Sequence, residues 1–318
     1  MQEVASVTVQ IDSKLHGMRA DKALATVYPE VSRSRWQDAF EAAEVWINGA
    51  AIEKRRILQA GEQLTCNLPV PHSSETFIPE PFSMELQVLH EDDSLIAINK
   101  PAGIVTHPGH GNWHGTLVEA ILHHTNGKLA IQDDPTRPGV VHRLDKATTG
   151  VILFAKTGRC RHRLCEWFAH RKVHKEYLAL VQGVPGPESG QIDQPIRRHP
   201  TKRILMQAHP EGRKARTDWK RENSWAGASR LRCRIHTGRT HQIRVHMASI
   251  GHPLLGDVDY GYRYRETEPE LARSRVFLHA EYLRLPNPES PEYTLELQAP
   301  VPQDFKTLTQ MLDAAQEQ

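Results

Sequence analysis

The chain has 318 residues, 39% hydrophobic and 25% charged, and no apolar run reaches the length of a membrane span. This excludes a disordered, collagen-like or membrane-spanning chain and leaves room for a sizeable core beside a smaller module. Net charge is only +2, but the 40 lysines and arginines are clustered, while the acids gather toward the C-terminal tail.

The opening MQEVASVTVQ has neither a basic segment followed by an apolar one nor an Arg/Ser-rich amphipathic pattern, so no leader is expected and the expected location is cytoplasmic. Cys66, Cys160, Cys165 and Cys233 form no CxxC, which points to reduced thiols rather than a disulfide frame or a zinc knuckle. Residues 17–68 read as a compact module. Leu24, Val27 and Tyr28 fall at helical spacing before Pro29. Ser32 is placed to cap a second helix whose stripe is Trp36, Ala39, Phe40 and Ala43, with Arg33 and Arg35 off the stripe and free for a partner. A strand at Val45–Ile47 enters the Asn48-Gly49 turn, and Glu62–Leu68 closes a small hairpin unit of about fifty residues.

Residues 69–84, rich in Pro and Ser at their start, are expected to link residues 1–68 to a larger domain at 85–318. There MELQVLH and SLIAINKP predict a hairpin turning at Glu91, Asp92 and Asp93. Further strands are predicted at 151–155, 177–182, 231–235, 276–285 and 293–297, and helices at 116–124, 160–170, 240–250 and 304–315. Strands arriving in pairs without βαβ alternation predict an α+β fold on a mixed, mainly antiparallel sheet flanked by helices. GxGxxG, Walker loops and internal repeats are absent, so no nucleotide cofactor is expected.

Three basic clusters follow one another: Lys156 to Lys175 with a single acid, Arg197 to Arg203, and Arg230 to Arg244. Any one of them could be a solvated face, but together they suit a polyanion, because each cation that neutralises a phosphate releases counterions. Amid them, GVVHRLDKATTGVILFAKT places His142-Arg143-Leu144-Asp145 directly before Thr148, Thr149 and Gly150 and an apolar strand. Catalytic groups tend to sit on loops pinned by rigid strands, although Asp145 can equally cap the turn. Tyr177 is either a platform for a flat ring or an inward strand residue, and Arg244 either a carboxylate partner or a phosphate contact.

The HRLDKATTG run resembles the signature of the RluA-type pseudouridine synthases. His174-Lys175-Glu176-Tyr177 is similar to that family's second motif and residues 237–247, TGRTHQIRVHM, to its third. Residues 99–116 and HPLLGD also look like family segments, and residues 17–68 resemble a ribosomal S4-like RNA-binding module. The form of these segments is nearest the type D, large-subunit ribosomal branch. The resemblance implies a pseudouridine synthase fold and a cofactor-free isomerase with Asp145, Tyr177 and Arg244 at its catalytic centre. His142, Arg143, Arg239 and Gln242 are then expected to hold RNA, with large-subunit ribosomal RNA or the pre-ribosomal particle as partner and a monomer as the working form.

Three other readings are weighed. The same chemistry on transfer RNA differs only in surface loops, for which residues 211–223 and 260–274 are the candidates. A non-catalytic assembly factor would use the same basic surfaces without Asp145. A metal enzyme is suggested by His107, His110 and His114, but these fall in a Gly/Pro-rich loop rather than on one helical face, so no metal is expected.

Overall fold

The computed structural model describes the chain except residues 1–5, 29–30, 32–35, 37–38, 68–77, 110–111, 131–134 and 317–318. Arg33, Arg35, Ser32 and Pro29 lie outside the described residues, as does much of the expected linker. Two compact units are present, Met1–Thr76 and Phe77–Gln318. No described helix is long and apolar enough to cross a membrane.

In the first unit, strands β1 (Ser6–Gln10), β2 (Val45–Ile47), β3 (Ala50–Ala51) and β4 (Gln63–Asn67) form an antiparallel sheet ordered β1-β4-β2-β3. Helix α1 (Ala20–Val27) contributes Ala23 and Leu24 to its core, which Trp36, Ala39 and Phe40 share. Strand β1 lies ahead of the module read from the sequence. Ala43, expected on the helical stripe, instead sits past the helix in left-handed backbone at φ 57° and is exposed.

The second unit is built on one mixed sheet of nine strands, ordered β5-β6-β7-β14-β8-β13-β12-β9, with β15 beside β14. Its members are β5 (Val88–Glu91), β6 (Leu95–Lys100), β7 (Thr149–Ala155), β8 (His174–Gln182), β9 (Ser189–Asp193), β12 (Arg216–Trp225), β13 (Ala228–Ile235), β14 (Leu278–Pro286) and β15 (Thr294–Gln298). Strands β10 (Ile196–Arg198) and β11 (Met206–Ala208) pair separately. Every pairing in the large sheet is antiparallel except β14 with β7. β6 and β7 read as unbroken apolar runs because both of their faces are covered. Ile96, Ile98, Ile152 and Phe154 pack with α2 (Leu117–His124), whereas Leu95, Ala97, Val151 and Leu153 pack with α3 (Gly158–Ala169). The C-terminal α5 (Gln303–Gln316) lays Phe305, Leu308 and Leu312 on Leu178 and Leu180 of β8. These layers make an α+β fold, as the paired strands indicated.

The helix expected at 240–250 is α4 (Gln242–Ser249), which starts late because His241 adopts left-handed backbone at φ 56°. The segment at 211–223, read only as a place of divergence, contains most of β12, and the segment at 260–274 carries a short 3-10 turn, Glu270–Arg273.

Candidate active site

Asp145 stands at the head of a tight turn, where its carbonyl accepts the Thr148 amide at 3.1 Å. The turn therefore runs from Asp145 to Thr148, and Thr149 and Gly150, expected within it, already belong to β7. Gly150 lies at φ 112°, and a Cβ there would come within 2.1 Å of the Ala280 carbonyl oxygen, so the close β7–β14 approach admits only glycine. Residues 100–106 brace the loop. The Thr106 hydroxyl donates to the Leu144 carbonyl at 3.2 Å, and the Gly103 amide to that of Lys146 at 2.9 Å. The wholly buried Lys100 ammonium donates to the carbonyls of Pro101 (2.8 Å) and Lys146 (3.2 Å). Burial lowers its pKa to about 7 against the opposing charge of Asp145.

The loop faces a cavity of about 480 Å³ lined also by Tyr177 and by the cations Arg143, Arg171, Lys175, Arg213 and Arg239. Asp145 is the one acid among the described lining residues. The cations crowd each other: burial and Arg171 push Lys175 down to about 8, and burial, Arg213 and Arg171 push Arg239 down from its usual value. A site this rich in positive charge is complementary to phosphate. Burial, with the Asp145 charge adding to it, pushes the Tyr177 phenol well above its ordinary pKa. Its hydroxyl therefore stays protonated and serves as a donor on a stacking ring.

Arg244 departs from expectation. Its paired hydrogen bonds go not to Asp145 but to Asp257, both at 2.7 Å, with Asp259 at 3.2 Å. The α4 position that sequence assigned to it turns the guanidinium toward the residue following Gly256, where a Cβ would strike the Arg275 carbonyl at 1.8 Å and so only glycine fits. Arg244 acts on Asp145 through space, and its guanidinium lies 4.8 Å over the Tyr260 ring.

What faces Asp145 is His241, whose Nε2 is 3.9 Å from Oδ1. Its other nitrogen, Nδ1, is 2.7 Å from the Tyr260 hydroxyl, and that oxygen accepts the Met206 amide at 2.8 Å. With its oxygen taken by the Met206 amide, the half-buried phenol has Nδ1 as the acceptor at hand for its proton, which leaves the imidazole proton on Nε2, toward Asp145. Burial holds the His241 pKa below its usual value despite Asp145, so the ring is neutral. Asp145, His241, Tyr260, Arg244 and Asp257 thus form one supported chain. Among the described residues no hydrogen bond reaches the Asp145 carboxylate, which is left for a ligand. Sequence reasoning missed His241, Tyr260 and Asp257, although His241 lies inside TGRTHQIRVHM and Asp257 ends HPLLGD.

Of the expected RNA contacts, Arg143 is exposed at the cavity and donates to Thr240 Oγ1 at 2.6 Å, and Arg239 donates to the Lys214 carbonyl at 3.1 Å. Gln242 does not fit that role. Its oxygen accepts from Thr237 Oγ1 (2.7 Å) and the Arg239 amide (3.1 Å), and its nitrogen donates to the Arg216 carbonyl (2.9 Å) and Thr217 Oγ1 (3.1 Å). With both donors and both lone pairs used and the side chain buried, it is a brace between β12 and α4.

His142 is a second correction. Nε2 accepts the Leu153 amide at 2.9 Å, the ring stacks on Phe168 at 4.6 Å, and burial with nearby Lys175 lowers its pKa to about 3. An imidazole neutral at pH 7 gives a phosphate no charge, so its part is to tie the loop to β7. Because the folded pKa is lowered, the stability it favours is complete above the unfolded value of about 6.5 and lost as pH falls toward 3. Side-chain NMR is expected to show His142 silent between pH 8 and pH 5, and a midpoint near 6.5 would contradict this placement.

Comparison with known proteins gives a consistent picture. Residues 94–249 match the family model described as RNA pseudouridylate synthase. "Ribosomal large subunit pseudouridine synthase D" of Pasteurella multocida (strain Pm70) is 40% identical over 322 residues, covering 98% of this chain and 97% of that one. Its namesake from Escherichia coli (strain K12) is 40% identical over 323 residues, covering 99% and 96%. Among solved structures, human RNA Pseudouridylate Synthase Domain Containing 4 aligns with a TM-score of 0.56 at 30% identity, covering 71% of this chain and 93% of its own.

Proposed function

The chain belongs to the RNA pseudouridylate synthase family, and we propose that it isomerises specific uridines of large-subunit ribosomal RNA to pseudouridine, with Asp145 carrying the chemistry. The choice of RNA is supported by the relatives' names and by their near-complete overlap with this chain. The observation that carries the residue assignment is the setting of Asp145: the one acid among the described residues of a cationic cavity, on a loop braced by buried donors.

The reaction breaks the N1–C1′ bond, turns the uracil and joins C5 to C1′. The proton leaving C5 is matched by one gained at N1, so neither redox partner nor co-reactant is required. Extruding the nucleotide from its stack costs roughly a few kcal/mol, which the cavity's cations offset by binding the flanking phosphates. The Asp145 carboxylate is placed to attack sugar or base, or to stabilise positive charge at C1′. Tyr177 supplies the platform under the base and a protonated hydroxyl. His241 presents Nε2–H toward Asp145, and Arg244 fixes Tyr260 behind it. The same reading places the enzyme in the cytoplasm, acting on large-subunit RNA free or in the assembling subunit.

Purified wild type incubated with under-modified large-subunit RNA, without added metal or nucleotide, is expected to mark discrete uridines that Asp145→Asn leaves unmarked. Marks on transfer RNA alone would redirect the substrate, and no marks on any RNA would overturn the reading. Residues 1–68 are assigned as an S4-like RNA-binding module in which Arg33 and Arg35 contact phosphate. Deleting them is expected to weaken RNA binding and flatten its salt dependence while sparing the rate on a saturating minimal stem-loop. An equal loss of rate at saturation would show that these residues help to build the catalytic centre.

A further inference from the structure

At the end of the large sheet where β8 begins, alternate residues serve two cavities, as the period of two along a strand requires. Lys175, Tyr177 and Ile235 line the catalytic one. His174, Arg216, Arg234, His236 and Arg284 line a second cavity, of about 540 Å³. Arg171 and Ile235 border both, so the two meet at that rim.

The strand register puts the basic residues of the second cavity in a row. Arg284 of β14 is opposite His174 of β8. Glu176 is opposite Arg234, and Arg234 is opposite Asp218, so the same ladders carried outward bring His236 beside His174 and Arg216. The His236 amide indeed donates to the Arg216 carbonyl at 3.1 Å. Arg284 of β14, His174 of β8, His236 just past β13 and Arg216 of β12 therefore stand side by side, roughly 4.8 Å apart, in a row about 14 Å long. The next row inward supplies two carboxylates: Asp218 binds His236 at 2.6 Å and Arg216 at 3.2 Å, and Glu176 binds His174 at 2.7 Å. Arg234, Arg284, Lys172 and Arg171 have no carboxylate partner among the described residues.

Arg284, Arg234, Arg216, Lys172 and Arg171, with His174 and His236 among them, outnumber the two carboxylates that face them, so the cavity keeps a surplus of positive charge for an anion. An extended row suits an extended polyanion, and its shared rim with the catalytic cavity gives that polyanion a direction. We infer that the second cavity carries the sugar-phosphate backbone of the RNA strand adjoining the target uridine, which bends round the start of β8 past Arg171. This rests on the reading of the substrate as RNA.

The test is made in an Asp145→Asn background, so that turnover does not enter. Binding of a large-subunit RNA fragment is titrated between about 50 and 200 mM salt for Arg234→Gln/Arg284→Gln and for a control, Lys128→Gln/Lys306→Gln, that removes two exposed charges lining neither cavity. The first pair is expected to weaken binding roughly tenfold and to make the log K against log salt slope shallower by about 1.4, for two single-strand phosphate contacts. Its thermal midpoint should stay near the parent's, because neither guanidinium has a carboxylate partner among the described residues to lose. Arg234→Lys/Arg284→Lys keeps the charge and should keep the slope. Equal slopes for the Gln pair and the control, or a Lys pair as impaired as the Gln pair, would overturn the site. Loss of pseudouridine formation by wild type with the slope effect intact would instead strike the proposed function.

Discussion

Asp145→Asn is expected to slow pseudouridine formation by at least about a thousand-fold, roughly 4 kcal/mol of transition-state stabilisation, while RNA is held as tightly as by wild type or more tightly. The substitution is nearly isosteric, and the turn at this position is closed by the backbone carbonyl of Asp145, not by its side chain. The braces from Lys100, Gly103 and Thr106 also end on backbone carbonyls, so the loop has little reason to move. What is lost is the one acid among the described lining residues, and with it the anion that partly offsets Arg143, Arg171, Lys175, Arg213 and Arg239. Phosphate then meets a more positive cavity, which argues for affinity unchanged or improved. Single-turnover rates at saturating RNA, paired with equilibrium binding, separate the two effects. A variant within tenfold of wild type would remove Asp145 from the chemistry, and one that no longer binds RNA would make the carboxylate structural.

The division between what was legible in the sequence and what was not follows the range of the interactions. β6 and β7 announced themselves because burial on both faces demands unbroken apolar runs, and α3 because its periodicity is local. β12, RTDWKRENSW, stayed hidden. Buried Thr217, Trp219 and Trp225 are interrupted by charges paired across strands, such as Arg232 with Glu222, and no such pairing is visible along the chain. Asp145 and Tyr177 were legible as candidates only through the resemblance of their motifs, and the fold brings both to one cavity. The error over Arg244 has the same origin as the failure to see Asp257 and Tyr260. A guanidinium on a predicted helix says that it needs an acid, but the acid it takes lies across a glycine turn that only folding brings near. Gln242 and His142 looked like ligands for RNA because they are polar residues beside a catalytic loop, whereas every polar atom of the Gln242 amide is taken by a neighbour and the His142 Nε2 by the Leu153 amide.

His241 gives the second large effect, and its two nitrogens can be tested apart. His241→Asn is expected to lower kcat by about a hundred-fold, as when one preorganised donor is removed from a catalytic centre, with KM little changed. Asparagine tolerates the left-handed backbone at φ 56° and can still reach toward Tyr260 as Nδ1 does, but it leaves no donor where Nε2 faces Asp145. His241→Gln has the reach to place an amide N–H near that point and should keep kcat within about tenfold of wild type, despite a poorer fit to the backbone. Tyr260→Phe should fall between them. It removes the donor that holds the imidazole proton on Nε2 and orphans the Met206 amide, yet leaves the ring under Arg244. The present 3.9 Å separation exceeds a hydrogen bond, so a role in catalysis requires the contact to tighten when RNA fills the cavity and predicts a loss in kcat rather than in affinity. Equal impairment of the Asn and Gln variants, or a loss confined to KM, would reduce His241 to the residue that starts α4 and return the orienting of Asp145 to the loop itself.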